Sequence, residues 1–317
     1  MLIVSLIAFL ISCLILVVSG SYLVKLLIKI SSYLKLSEFI VAFILMAFST
    51  SIPELFVGIS SAMKGNPALS LGNVIGANIL DLTIIIGIAA LLGRGIRVKN
   101  PFIKKDSLMI LLIASVPVVL MAVGKNLSRI DGMILVAIFI IYITHLFRER
   151  RELKTQFKED NHNHIAFVFL LFIISLTVLF FSANFVVKYA KEMAIELSLP
   201  NMLIGLFLVS IGTTLPELVF ETRAVLSRKG DLAVGDVMGS VVCNSTLVLG
   251  ITAIISPITV ISFPLFLTSA IFMMIIVFLF TIFIRSKSGL SITESIILIL
   301  LYILFIIFEF YLKSKIF

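Results

Sequence analysis

The stretch FSTSIPELFVGISSAMKGNPALSLGNVIGANILDLT, Phe48–Thr83, places Glu54 and Asp81 in an otherwise apolar run, among hydroxyls, glycines and a proline. A second stretch, IGTTLPELVFETRAVLSRKGDLAVGDVMGSVVCNSTL, Ile211–Leu247, repeats the pattern. Glu217 lies 163 residues after Glu54, and Pro216, Gly235 and Gly239 follow Pro53, Gly72 and Gly76 at the same interval. YLVKLL around Lys25 falls on FVVKYA around Lys188, again 163 residues apart. A gapless interval held across three apolar segments marks an internal duplication.

The rest of the chain is equally oily. Of 317 residues, 61% are hydrophobic and 13% charged, and the mean hydropathy is +1.24. Runs of twenty or more apolar residues recur, each long enough to cross a bilayer as a helix. Backbone polar groups in lipid must be satisfied within each segment, so the expected fold is an all-α integral membrane protein. Ten spans are expected, at about 2–30, 38–63, 69–92, 102–123, 128–147, 165–190, 199–227, 231–256, 262–284 and 291–312. A polar segment, 148–164, divides them into a first five-helix repeat, 1–147, and a second, 165–317. Five spans per repeat force the second copy to enter the membrane inverted, the plan of secondary transporters with ion sites at broken helices near the midplane.

The net charge of +8 is explained by basic loops beside the spans, and no nucleic-acid partner is expected. Arg94, Arg97, Lys104, Lys105, Arg148, Arg150, Arg151, Arg228, Lys229 and Arg285 gather on one side, with fewer basic residues on the other. The positive-inside rule makes that side cytoplasmic and both termini extracellular, in a multi-pass protein of the cell membrane. The polar segment, with His162 and His164, reads as a solvated cytoplasmic connector. Cys13 and Cys243 lie in apolar segments and imply no disulfide framework. No phosphate-binding glycine loop supports ATP coupling, no enzyme chemistry is indicated, and neither a cofactor nor a protein partner is evident. The expected partners are the bilayer and transported cations.

The paired acidic segments suit hard cations. Pro53 cannot donate to the carbonyl of Ser49, nor Pro216 to that of Gly212, so each kink frees backbone oxygen. Thr50, Ser51, Thr213 and Thr214 add hydroxyls, and Glu54 and Glu217 add carboxylates, an oxygen-only donor set that fits Ca²⁺ or Na⁺. Asn73, Ala77 and Asp81 share one helix face, as do their counterparts Asp236, Ser240 and Asn244. The GxxxG pairs Gly72/Gly76 and Gly235/Gly239 let such helices approach closely. Ionised groups at the bilayer centre are costly, so acids recurring at repeat-related places point to an ion site rather than to packing alone.

The motifs STSIPEL…GNVIGANILD and GTTLPEL…GDVMGSVVCN resemble the two alpha-repeats of the sodium/calcium exchanger family, within the cation/calcium antiporter superfamily. The resemblance covers nearly the whole chain. It implies two long tilted helices, the first of each repeat, sliding on a core of the other eight, and exchange of several Na⁺ for one Ca²⁺ by alternating access. It places Glu54 and Glu217 at the centre, with oxygens from Thr50, Ser51, Thr213 and Thr214. Ala47 and Ser210 would offer carbonyls to Na⁺, Ser240 a hydroxyl, and Asp81 and Asn244 would complete the cluster beside Asp236.

This sequence departs from the family pattern at several places. Asp81 and Asn244 exchange the usual Asn and Asp, which keeps the charge while moving it across the site. Glu54, Asp81 and Glu217 together carry about −3 when ionised, enough for one Ca²⁺ or up to three Na⁺. Ala77 stands for the usual serine, Ser49 for glycine and Asp236 for asparagine. Glu221 and Arg223 fall inside the seventh span, where Arg223 pairs with Asp236 or Glu221 or reaches toward the cytoplasmic surface; internal pairing is expected ahead of a second cation site. Lys25 and Lys188 are expected to snorkel to the headgroups. Na⁺-driven Ca²⁺ exchange is the leading reading. H⁺-coupled exchange and, from a different class, a passive cation channel are the alternatives.

Overall fold

The computed structural model describes residues 2–33, 47–98, 101–149, 165–196, 200–260, 262–287 and 289–316. It is all-helical apart from four two-residue strands. In chain order the elements are α1 (Leu2–Tyr33), α2 (Ala47–Thr50), α3 (Ile52–Met63), α4 (Pro67–Leu92), β1 (Ile96–Arg97), α5 (Pro101–Gly124), β2 (Asn126–Leu127) and α6 (Arg129–Glu149). They continue as α7 (Ile165–Glu196), α8 (Asn201–Thr213), α9 (Leu215–Leu226), α10 (Gly230–Ile255), β3 (Ile258–Thr259), α11 (Phe263–Lys287), β4 (Gly289–Leu290) and α12 (Ile292–Ile316). Six of these helices, α4, α5, α6, α10, α11 and α12, are each long and apolar enough to cross a membrane, and the bent pair α8–α9 makes a seventh. The connector histidines His162 and His164 lie outside the described residues.

The 163-residue interval holds for the elements themselves. It carries the bounds of α1 onto α7, α3 onto α9 and α4 onto α10 without a shift. It also carries small devices. Ser128 donates from its N–H and hydroxyl to Asp131 Oδ2 (2.8 and 2.7 Å), and Ser291 does so to Glu294 Oε2 (2.8 and 2.6 Å). These are capping boxes that start α6 and α12 with a satisfied first turn.

The connecting loops interlock the two halves. β1 pairs antiparallel with β4 and β2 with β3, so each ladder joins an element of one half to an element of the other. Gly289 lets β4 come this close: it has φ 149°, and a Cβ there would lie 1.9 Å from the carbonyl oxygen of Ile96.

Burial sorts the helices into layers. In α4 and α10, 83% and 78% of the apolar window is buried, against 22–44% in α5, α6, α11 and α12. The two helices carrying Asp81, Asp236 and Asn244 are therefore the core, and the others present apolar faces outward. The main apolar cluster joins α4, α10 and their neighbours. A separate cluster, including Phe9, Cys13, Val57, Val186 and Val209, seats α1 and α7 on α3 and α8. α1 and α7 form the most extensive helix pair described, tied by Ser5 Oγ to Glu192 Oε2 at 2.8 Å. Lys25 and Lys188 are exposed on that pair, and Lys188 Nζ lies 5.3 Å from the centre of the Tyr189 ring.

Candidate functional site: a buried oxygen cluster at two broken helices

Two helix breaks organise the site. α2 stops at Thr50 and α3 restarts at Ile52, with Ser51 at φ −78°, ψ 0°. α8 and α9 meet at Thr214, at φ −90°, ψ 2°, where their axes bend by 40°. Pro53 and Pro216 occupy the first turns that follow, where a missing N–H costs nothing. Glu54 and Glu217 share those turns, so each carboxylate sits at the positive end of a half-helix. Neither proline has an N–H to donate to the carbonyl four residues back, that of Ser49 or of Gly212. Each break thus joins backbone oxygen to an acid.

The opposite wall comes from α4 and α10. Both relax into a π-helical turn at the expected site residues, Asp81–Ile85 and Asn244–Val248. The N–H of Ile86 reaches Asp81 O, and that of Leu249 reaches Asn244 O. The hydroxyls of Thr83 and Thr246 take the carbonyls of Ile79 and Val242, loosening the ladder at matching places. Such turns are frequent at functional sites.

The wall and the breaks are exchanged between halves. A Cβ on Gly72 would lie 2.0 Å from Met202 O, one on Gly76 2.2 Å from Leu206 O, and one on Gly205 2.1 Å from Leu69 O. The GxxxG pair of α4 therefore admits α8, the broken helix of the other half, at backbone contact. Hydrogen bonds follow the same exchange. Thr50 Oγ1 lies 3.3 Å from Ser240 Oγ and, as a long contact, 3.5 Å from Asp236 Oδ1. At the related place Thr213 Oγ1 donates to Asn73 Oδ1 at 3.2 Å.

All the expected site residues are buried. Glu54, Asp81, Ser210, Thr213, Asp236 and Ser240 are fully so, and Ala47, Thr50, Ser51, Thr214, Glu217 and Asn244 are at most 2% exposed. The carbonyls of Ala47 and Ser210 already accept from Thr50 and Thr213 hydroxyls, at 3.3 and 3.2 Å. Thr214 Oγ1 also donates to Ser210 O at 2.9 Å, so an ion reaching that carbonyl must displace a hydroxyl.

The carboxylates, by contrast, are uncommitted. Both oxygens of Glu54 and of Asp81, Oε2 of Glu217, Oδ2 of Asp236 and the hydroxyl of Ser51 have no hydrogen-bond partner in the protein. Thr213 lies beside Glu54, but at bonding distance its hydroxyl serves Asn73 and Ser210. Glu217 is within Coulombic reach of Glu54, Asp81 and Asp236. Buried carboxylates left unpaired are expensive, and a cation is the natural complement. Among the described residues no three Asp, Glu, His or Cys groups gather tightly enough to hold a metal by themselves. An ion here draws part of its shell from hydroxyls and carbonyls.

Two features differ from the sequence reading. The internal ion pair expected of Arg223 does not form: Arg223 is exposed, both oxygens of fully buried Glu221 are unbonded, and Asp236 meets Thr50 instead. A guanidinium on a long stem can leave the apolar interior, whereas the short Glu221 cannot follow. Asn78, unmarked in the sequence, is a fully buried link. It accepts from Asn244 Nδ2 at 3.2 Å and donates to Ser245 Oγ at 3.0 Å. Its signal is an amide within an otherwise apolar run, one residue off the face of Asn73, Ala77 and Asp81.

A bundle with a buried, acid-lined oxygen cluster at paired helix breaks defines a membrane cation transporter, not an enzyme. The profile of the sodium/calcium exchanger protein family matches residues 4–148 and 167–311, and the chain belongs to that family. The chain is 28% identical over 340 aligned positions to the sodium/calcium exchanger MaX1 of Methanosarcina acetivorans, covering 94% of this chain and 96% of that protein. It is 30% identical over 212 residues to the uncharacterized membrane protein MJ0091 of Methanocaldococcus jannaschii, covering 67% and 69%. Its fold matches a structure of the sodium-calcium exchanger NCX_Mj soaked with Na⁺ and Sr²⁺ (TM-score 0.70, 25% identity), over 96% of this chain and 99% of that one.

Proposed function

We propose that the chain is a Na⁺-driven Ca²⁺ antiporter of ten membrane spans, built as two inverted five-helix repeats, 1–147 and 165–317, joined by a cytoplasmic connector. Both termini face outward by the distribution of basic loops. The two ion species compete for the cluster of Glu54, Glu217 and Asp81, with Thr50, Ser51, Thr213, Thr214, Ser240, Asn244 and Asp236 around it and the carbonyls of Ala47 and Ser210 within reach. The supporting observation is the set of unbonded, buried carboxylate oxygens of Glu54, Asp81 and Glu217. Without a bound cation the ionised cluster would be strongly negative and resist being sealed in a low dielectric. Bound Ca²⁺ or Na⁺ neutralises it and lets the access pathway switch sides. The α1–α7 pair, seated on an apolar cluster of its own, is the element that slides.

One observation favours a second reading. Ala77 brings no hydroxyl where its counterpart Ser240 does, which weakens one Na⁺ position and leaves room for H⁺ coupling. The test is ⁴⁵Ca²⁺ uptake into proteoliposomes under Na⁺, K⁺ and H⁺ gradients imposed singly, with Glu54→Gln beside the unaltered protein. Uptake driven by outward Na⁺ and lost about 100-fold or more in Glu54→Gln is the expected result. A folded Glu54→Gln protein exchanging at the normal rate would overturn the site. Uptake under the H⁺ gradient alone would establish the second reading, and flux without a counter-ion would mean a channel.

A further inference from the structure

The basic face of the molecule holds a cavity of about 690 Å³ that shares no residue with the central oxygen cluster. Three connections line it: the end of α4 into β1, the turn from α9 into α10, and the turn through β4 into α12. They meet at backbone contact. A Cβ on Gly230 would lie 2.4 Å from Arg97 O, and one on Gly95 3.1 Å from Leu290 O. Both halves therefore build the walls. Arg94, Arg97, Arg228 and Lys229 stand in the lining, with Asp231 the acid among its described residues. Asp231 already has a partner. Four cations around one space repel Na⁺ and Ca²⁺ and draw an anion, so the cavity is no part of the cation path.

The positive-inside bias accounts for the side on which these residues lie, not for their gathering around one cavity. Arg94 and Arg228 both take left-handed backbone, at φ 57° and 58°. Each closes the helix before it in the same way. Arg94 N–H donates to Leu91 O (3.2 Å) and Gly95 N–H to Ala90 O (2.7 Å), while Arg228 N–H donates to Val225 O and Lys229 N–H to Ala224 O (both 2.9 Å). At the position related to Arg228 the same turn is made by Gly65, at φ 71°, with bonds to Ala62 O and Ser61 O. Glycine takes this conformation freely and an arginine does not, so the second half keeps the turn and adds a guanidinium at a cost. The residues related to Arg94, Arg97 and Lys229 are Pro257, Val260 and Asn66, all uncharged. Arg97 stands across the β1–β4 ladder from Gly289, which puts no side chain beside it. Arg285, on the same face, lies outside the lining and donates to Lys104 O at 3.2 Å.

We propose that this cavity binds a phosphate-bearing anion, the headgroup of an anionic phospholipid or a free phosphate, whichever ion drives transport. Arginine forks match phosphate oxygens two at a time, and three arginines are at hand. α10 starts at Gly230 in the lining, so the unpaired N–H groups of its first turn add donors of the same sign. The volume falls in the usual range of ligand pockets, about 300–1,000 Å³, and leaves room for the group that the phosphate is attached to. A bound anion bridges the end of α9, the half-helix that carries Glu217, to the β1 loop of the other half.

The full chain in detergent and choline chloride is titrated calorimetrically with four probes: short-chain phosphatidylglycerol, phosphatidylcholine of the same chain length, inorganic phosphate and pyrophosphate. Arg94→Gly/Arg228→Gly removes two guanidinium groups and relieves two left-handed side chains, so the fold is kept, as Tm without ligand checks. An anionic probe binds the unaltered protein and binds this variant at least about tenfold more weakly. It binds Lys104→Gln/Arg285→Gln, which loses two charges of the same face outside the cavity, to within about twofold of the unaltered protein. If the first variant does not fold, Arg97→Gln/Lys229→Gln decides by the same readout. Tighter binding of phosphatidylglycerol than of the soluble probes assigns the site to a lipid headgroup, and the reverse assigns it to a free phosphate; either supports the site. No binding of any anionic probe overturns it. So does phosphatidylcholine binding as well as the anionic probes, or an equal loss in the Lys104/Arg285 variant, since the attraction then belongs to the whole face.

Discussion

The two halves of this molecule share one backbone plan and hold different charges. The bounds of three helix pairs, the prolines at the two breaks, the π-turns at Asp81 and Asn244 and the capping boxes recur at a single interval. The buried acids do not. Around the site only Glu54 and Glu217 match: the first half adds buried Asp81, and the second adds buried Glu221 and Asp236. Geometry is kept because the broken helix α8 of one half must seat against α4 of the other at backbone contact. Chemistry is free to diverge because each half lines one shared site: Thr50 faces Asp236 of the second half, and Thr213 faces Asn73 of the first. In the proposed site, an oxygen lost from one side can thus be supplied by the other.

The largest test of that compensation is the exchanged pair Asp81 and Asn244. If the site counts charge more than its position, Asp81→Asn lowers Ca²⁺ exchange about 100-fold, some 2.8 kcal/mol of binding. The double variant Asp81→Asn/Asn244→Asp then returns to within about tenfold of the unaltered protein. Asn244 adjoins the Asn78 link, so full recovery is not expected: an aspartate has no Nδ2 to give Asn78. A ⁴⁵Ca²⁺ dose–response on the three proteins measures the effect. A double variant as weak as the single one would show that the acid must stand on the first half.

The next effect is on stability. Gly205 brings α8 against α4, with a Cβ there only 2.1 Å from Leu69 O and 2.8 Å from Asn73 N. Gly205→Ala must part the helices at the crossing between halves, at a cost of about 1–3 kcal/mol. Gly124→Ala meets nothing closer than Asn126 Oδ1 at 3.5 Å and serves as the control. Tm in detergent should fall clearly for the first and little for the second. Equal falls would mean that the crossing is not the tight contact.

Much of this was legible in the sequence, for physical reasons. A carboxylate in an apolar run is conspicuous because lipid penalises it, and a repeat at constant interval needs no three-dimensional information. The helix breaks at Ser51 and Thr214 follow from prolines two residues on. What stayed hidden depends on direction rather than composition. Spacing puts Glu221 on the face of Glu217, but it does not say whether Arg223 turns inward to it or outward to solvent. GxxxG announces a close partner without naming it, and here the partner of Gly72 and Gly76 is the broken helix of the other half. The π-turns at Asp81 and Asn244 arise from threonine hydroxyls and packing, which helical periodicity does not encode.

The smallest expected effect bears most directly on the comparison. Ala77 and Ser240 are related positions, both fully buried. Ser240 Oγ lies 3.3 Å from Thr50 Oγ1, so by the same relation a hydroxyl at 77 would face Thr213. Thr213 Oγ1 now leans on Asn73 Oδ1 and Ser210 O, and a new neighbour would let it release Ser210 O toward a bound ion. Ala77→Ser should therefore raise apparent Na⁺ affinity about two- to fivefold, the scale of one net hydrogen bond, with Ca²⁺ affinity nearly unchanged. Na⁺ titration of ⁴⁵Ca²⁺ efflux reads it. A gain confined to Ca²⁺, or a loss for both ions, would mean that the halves have drifted apart at this position and that symmetry no longer predicts what a hydroxyl there can reach.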